Sequence, residues 1–372
     1  MLIYLLLPLA ILYFLFLSRA IIVRNNNFFG NEIFVARNNI TLFLWFVILL
    51  GLAVFKGVNV GTDYPMYYRF FLNGSYIDLE PGISFFYALA AEYDNFFIFS
   101  FCIYLVFLFF IFQGIKKNSP NYLISILLFI LMFIYYSSYN GLRQMISVSI
   151  IFCFVTYIVS NQKKDRIKFL FIILIALMFH NSAIFLLLLF FIPIKKFSSK
   201  IVIPLFLLTI VLYFIPAFKN QVGELLINIS GFYAEKYAQN QNYFFEVNKE
   251  KGLMQLAPVI IQMGIVLISL YVPQKNIKLN INYNLFNFST NIVIINLCLY
   301  SLAGVEAIDR IQMYLTCFNI YFYSIFIHIL LNYKKLYGQI LIIFIIAFWF
   351  LYYSLRLINN VHGIVPYSFF KI

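Results

Sequence analysis

The stretch FFIFSFCIYLVFLFFIFQGIKK, Phe96 to Lys117, decides the fold. Its first nineteen residues, to Gly114, carry no charge. As a helix rising 1.5 Å per residue such a run reaches about 29 Å, close to the roughly 30 Å of a bilayer's hydrocarbon core. It then stops on Lys116-Lys117, and paired basic residues beside an apolar run mark the cytoplasmic side of a membrane. The same pattern repeats outward in both directions. Of 372 residues, 64% are hydrophobic and 10% charged, and mean hydropathy is +0.93. A soluble domain of this size has no way to bury so much apolar surface. Short alternating segments of the β-barrel kind do not dominate. The fold class is therefore all-α, a polytopic integral membrane protein.

About twelve transmembrane helices are expected, at 2–18, 39–57, 96–114, 121–138, 141–160, 167–180, 182–194, 201–217, 253–273, 284–303, 308–332 and 337–356. They form a single transmembrane domain over 1–372. The first run lacks a basic start and a small-residue cleavage site, so it reads as a retained span. Cys102, Cys153, Cys298 and Cys317 all fall inside apolar runs without paired spacing and read as buried thiols.

The loops between these spans alternate in charge. One face collects sixteen basic residues, among them Arg19, Lys116, Lys163, Lys195, Lys275 and Lys334, against Glu32 and Asp165. The other face is close to neutral, so the formal charge of +13 is a topology signal, with anionic headgroups as a further attraction. Nucleic acid is not expected as a partner. The neutral face is outer, and its longest segments are 58–95, 218–252 and 357–372. Cytoplasmic loops are too short for a nucleotide-binding domain, and no GxxxxGK[ST] loop is present.

Four residues stand out at the outer ends of the spans: Asp63, Arg143, His180 and Arg310. Titratable or charged groups at such depth are costly and usually functional. Asp63 lies in GTDYPMYYRF, 61–70, where Thr62 or Asp63 caps a short helix with Pro65 in its first turn. At i, i+4 spacing Asp63 shares a face with Tyr67, and Tyr64 with Tyr68. Tyrosine rings suit sugar recognition, although an interfacial aromatic belt would use them too. Ile83 to Ala91 reads as an amphipathic stretch at the outer interface, and the acids around it, Glu80, Glu92 and Asp94, read as solvated.

Arg143-Gln144 opens a span just after the tight turn Ser138–Gly141, where a guanidinium fork is suited to phosphate more than to mere snorkelling. His180, in FHNSA at 179–183, sits between two runs too short to cross fully, and a histidine there suits proton transfer. Arg310 shares a helical face with Tyr314, and Asp309 reads as mainly structural, in a local cap or a salt bridge. His362 lies in the tail, and His328 is at the wrong end of its span. No metal site is supported.

Taken together, GTDY…Y at 61–67, LRQM at 142–145, FHNSA at 179–183, DRIQMY at 309–314 and PYSFF at 366–370 resemble the EpsG/Wzy-type family of bacterial O-antigen, capsule and exopolysaccharide polymerases. The resemblance implies a GT-C-like membrane glycosyltransferase. It would join undecaprenyl-diphosphate-linked oligosaccharides at the outer face of the cytoplasmic membrane, without a cofactor. Arg143 and Arg310 would stabilise the departing diphosphate, His180 would deprotonate the acceptor, and Asp63 would orient His180 or bind sugar hydroxyls. Tyr64, Tyr67, Tyr68, Gln144, Tyr314 and Tyr367 would line the substrate path. A chain-length regulator and a flippase are the implied protein partners. A flippase for the same lipid-linked sugars is the main rival, disfavoured because polar residues are sparse toward the cytoplasmic half. An O-antigen-ligase-like transferase is the other.

Overall fold

The computed structural model describes residues 1–24, 30–160, 162–229, 253–272, 281–332 and 336–370. It is helical throughout, with no strand among the described residues beyond one isolated bridge, Lys56 to Phe369. In chain order the first twelve α-helices are α1 Leu2–Arg24, α2 Gly30–Val54, α3 Tyr64–Asn73, α4 Pro81–Glu92, α5 Phe96–Asn118, α6 Tyr122–Leu131, α7 Ile134–Ser137, α8 Leu142–Phe154, α9 Thr156–Val159, α10 Lys163–Leu177, α11 Ser199–Tyr213 and α12 Pro216–Ile229, with a 3-10 helix at Asn181–Phe191 before α11. Leu253–Tyr271, Tyr283–Cys298, Glu306–Thr316, Phe318–Asn332 and Leu336–Ile358 follow.

Five helical stretches are long and apolar enough to cross a membrane: Phe96–Asn118, Leu142–Val159, Tyr283–Leu302, Ala307–Asn332 and Leu336–Ile358. A sixth forms if α11 and Pro216–Leu225, bent by 95° at the break, count as one. At Leu2–Leu17, Asn39–Val54, Tyr122–Leu131, Asn181–Phe191 and Gln255–Tyr271 the expected spans are shorter apolar helices. Twelve full crossings therefore overstate what the described helices provide. The expected span 121–138 ends early because Phe133 takes a left-handed φ of 66° and α7 restarts for only four residues. The expected span 182–194 is an 11-residue 3-10 helix. The expected loop at 218–252 opens instead as helix α12, and 230–252 lies outside the described residues, as do Lys275 and Lys334.

The chain divides into two compact units, Met1–Leu189 with Asn280–Asn282 and Tyr323–Ile372, and Phe190–Leu279 with Tyr283–Phe322. In the first, α5 is the central post, packed by α2, α4 and α8, while α10 packs on α8 and α9. Helices approach closely where the buried side chain is small, and its hydroxyl then bonds to a backbone carbonyl. Ser147 Oγ, for example, donates to Ala176 O at 2.7 Å and ties α8 to the end of α10. That tie carries the chain straight into the Met178–His180 turn.

In the second unit, Asn291 secures the irregular 193–197 segment. Its amide donates to Pro193 O and Lys195 O at 2.8 and 2.9 Å and accepts from Phe197 N–H at 2.9 Å. Such an asparagine satisfies backbone groups that a helix would have paired internally.

Candidate active site

The site is built from two short helices and two helix ends of the first unit. Asp63 is the N-cap of α3, with Pro65 in the first turn as expected, but its carboxylate makes no capping bond. It takes the Thr62 hydroxyl at 3.3 Å instead and remains exposed. The Thr62 and Asp63 N–H groups point to Asn140 Oδ1, at 2.8 and 3.5 Å. Gly61 holds a φ of 109°, and a Cβ there would stand 2.7 Å from Tyr139 O. Only glycine lets the 61–63 turn lie on the 139–140 turn. Tyr67 Oη then donates to Asn140 O at 3.1 Å, and Tyr87 Oη donates to Tyr67 O at 2.9 Å.

Glu80 is the N-cap of α4, again without a capping bond. Pro81 fills the first helical position, where its missing N–H costs nothing. Gly82 N–H donates to Met178 O at 2.8 Å, and a Cβ at 82 would meet Met178 O and the Phe179 ring at 2.9 Å. This close approach lays the start of α4 against the turn that carries His180.

Glu80 is thereby brought to the centre of the site, with a side chain only 5% exposed. Its Oε2 accepts from Arg143 Nη1 at 2.6 Å, and its Oε1 lies 3.0 Å from His180 Nδ1. The Asn181 N–H adds a third contact at 3.4 Å. Burial alone would raise the carboxyl's pKa; the His180 hydrogen bond and the Arg143 charge overcome it and hold Glu80 down to about 2. Burial raises the Tyr67 hydroxyl's pKa, with the Arg143 charge pulling it partly back. Arg143 stands in the first turn of α8, where the helix dipole disfavours a cation, and Glu80 supplies the compensating charge.

With Nδ1–H donating to Glu80, the neutral His180 ring carries its lone pair on Nε2, the orientation required of a general base. Glu80 was read from the sequence as a solvated acid, and that reading is corrected. Its partners stand 63 and 100 residues away. The available signal was that Arg143 and His180 at one face needed an acid, and all the acids but Glu32 and Asp165 fall on that face.

Asp63, Tyr67, Arg143 and His180 belong to this cluster or border it. Tyr64 does not. It is 1% exposed, bonds Ser100 Oγ at 2.7 Å through its hydroxyl, and carries the Lys56 amine over its ring. Tyr104 and Tyr139 complete that cage, each ring centroid 5.1 Å from Lys56 Nζ. Tyr68 packs on Phe96, Gln144 is buried in α8, and Tyr367 donates to Leu52 O at 3.1 Å. Tyr64 and Tyr367 thus serve the packing of this unit.

Arg310 and Tyr314 lie in the second unit on Glu306–Thr316, with Tyr314 2% exposed. Asp309 accepts the Gly304 N–H at 3.4 Å, a local contact just before the helix. Beside them Gln312 Nε2 donates to Asn296 O at 3.0 Å, and Thr316 Oγ1 donates to Gln312 O at 2.8 Å.

The apolar helices define the class: a multi-pass helical membrane protein. Within that class, the family model for the EpsG family matches residues 39–369, and the chain belongs to that family. The matched stretch includes Asp63, Glu80, Arg143, His180 and Arg310, and the resemblance carried by 61–67, 142–145, 179–183, 309–314 and 366–370 is borne out. Membership points to a polysaccharide polymerase-type function. No curated protein and no solved structure matches the chain.

Proposed function

We propose that the chain is a polysaccharide polymerase of GT-C-like build. It joins lipid-diphosphate-linked oligosaccharide repeat units at the outer face of the cytoplasmic membrane. The observation that carries the reading is Glu80 bridging Arg143 and His180 in an otherwise apolar chain. A buried carboxylate held below its usual range is a poor base but a good orienter of imidazole.

In the reaction, an acceptor sugar hydroxyl attacks the anomeric carbon of the growing chain. The bond from that carbon to the diphosphate oxygen breaks, and the electron pair leaves with the lipid diphosphate. His180 Nε2 takes the hydroxyl proton while Glu80 keeps the ring in place and stabilises the imidazolium that forms. Arg143 faces the charge that develops on the departing diphosphate. Asp63, exposed beside the cluster, binds sugar hydroxyls. Undecaprenyl-diphosphate-linked oligosaccharides are the substrates, and a flippase and a chain-length regulator are the proteins that would work beside it.

A strain lacking the chain tests the reading through the length of its surface glycan. Glycans of a single repeat unit are the expected product. Complete absence of exported repeats would identify a flippase instead, and unchanged long chains would remove the polymerase reading altogether.

A further inference from the structure

Arg143 is neutralised by a carboxylate; Arg356 is not. Arg356 stands half-buried in the last turn of the Leu336–Ile358 helix. Its Nη1 donates to Tyr352 Oη at 2.7 Å, its Nη2 lies 3.3 Å from His362 Nε2, and its guanidinium carbon sits 4.7 Å from the Phe133 ring centroid. Its Nε is buried without a hydrogen-bond partner. The ion pairs among the described residues join Glu80 to Arg143 and His180, and Asp165 to Lys168, and none reaches Arg356. A buried N–H left without an acceptor is costly, and it marks a place where an acceptor belongs.

The backbone around this guanidinium is strained. Four non-glycine residues of the described chain have a left-handed φ, and three lie here: Phe133 at 66°, Asn360 at 46° and His362 at 71°. Such conformations persist where their surroundings over-determine them, and they gather at ligand clamps. Glycine would suit position 362 without strain. The histidine instead packs its ring 5.8 Å from that of Phe133 and sets Nε2 3.5 Å from Ser137 Oγ. A cation in a last helical turn often does no more than answer exposed carbonyls. That role requires neither the ring stack nor the imidazole.

The cluster also touches the candidate active site. His362 O accepts the Thr62 N–H and Gly363 O accepts the Gly61 N–H, both at 3.0 Å, just before Asp63. The run from Phe133 to Arg143 therefore reaches both clusters, with Phe133 at Arg356, Ser137 at His362 and its last residue at Glu80.

We propose that Arg356, with His362 and Ser137, is a second phosphate-binding locus that takes the diphosphate of a lipid carrier. The proposal rests on the polymerase reading, in which donor and acceptor carriers are held at once and each diphosphate needs its own cation. His362 Nε2 accepts from Arg356, so the ring is neutral with its proton on Nδ1, and the locus keeps one fixed positive charge. A guanidinium steadied on an aromatic face offers an N–H edge that fits two phosphate oxygens.

The test uses the full chain in phosphatidylcholine nanodiscs, titrated with farnesyl diphosphate and, separately, with phosphatidylglycerol. Arg356→Gln should weaken farnesyl diphosphate binding about tenfold or more, while Arg356→Lys, which keeps charge without the fork, should fall between. His362→Gly should weaken binding without lowering the melting temperature, because glycine accepts the left-handed backbone. Unchanged farnesyl diphosphate binding in Arg356→Gln would overturn the proposal. So would an equal loss of phosphatidylglycerol binding, which would make the locus a headgroup site. If Arg356→Gln does not fold, Arg356→Lys and His362→Gly decide on the same criterion. No turnover is needed, so a chain that binds diphosphate through Arg356 yet leaves glycan length unaffected when deleted would sink the polymerase reading alone.

Discussion

Two basic residues flank the outer segment of this chain, and they are handled in opposite ways. Arg143 meets a carboxylate, which in turn holds a histidine. Lys56, fully buried, meets three tyrosine faces and no hydrogen-bond acceptor. A charge answered by a carboxylate and an imidazole belongs to a system that can exchange partners and move protons. An amine enclosed by rings, its pKa pulled well below the usual lysine range by burial, has nothing to exchange with. The first arrangement is suited to chemistry, and the second to holding the 55–64 turn in place.

The largest effect separating them is expected at His180. His180→Ala should reduce chain elongation by about a hundredfold or more, the usual worth of a general base, with membrane insertion intact. Surface glycans resolved on a gel check this, and normal long chains would erase the distinction between the two basic residues. Next comes Gly82→Ala. Its methyl would meet Met178 O and Phe179, so a loss of roughly 1–3 kcal/mol in stability is expected, with elongation impaired because the His180 turn shifts. Thermal melting in detergent, read beside glycan length, measures both.

A smaller effect concerns pH. Glu80 is held down to about 2 against an ordinary 4.5. A carboxyl depressed in the folded state adds stability above its unfolded value, and that stability is lost as pH falls from about 4.5 toward 2. Melting temperature should drop through this window in the wild type and stay flatter in Glu80→Gln. The smallest effect is expected at Lys56. Replacing a buried amine that has no hydrogen-bond partner by an apolar side chain of similar length is commonly neutral or stabilising, so Lys56→Met should change stability by about 1 kcal/mol or less and leave glycan length unchanged. Loss of polymer in that variant would give Lys56 a chemical role.

Much of this was legible in the sequence because the signals were local. The expected span 96–114 was announced by its length and the lysines that follow it, and α5 extends four residues beyond it, to Asn118. Pro65 after Asp63 announced α3, and Arg143 and His180 were conspicuous because charge is rare in this chain.

What escaped was non-local or against type. Glu80 looks like any helix-opening acid until the fold brings Arg143 and His180 to it. Phe133 breaks a helix with no glycine or proline to warn of it. Tyr64 and Tyr367 share the tyrosine chemistry of a sugar site but are consumed by packing, Tyr64 beneath Lys56 and Tyr367 against Leu52. Twelve full crossings are not confirmed among the described residues, because a run of apolar residues fixes hydrophobicity but not continuity.

The coupling of Glu80 to His180 is the centre of the account, and elongation by Glu80→Gln tests it most directly. The amide keeps the size of the side chain while removing the charge that orients and stabilises the imidazolium. At wild-type levels in the membrane, this variant should yield mainly single-repeat glycans, a loss of about a hundredfold or more in elongation. Wild-type chain length from the same amount of Glu80→Gln protein would contradict it.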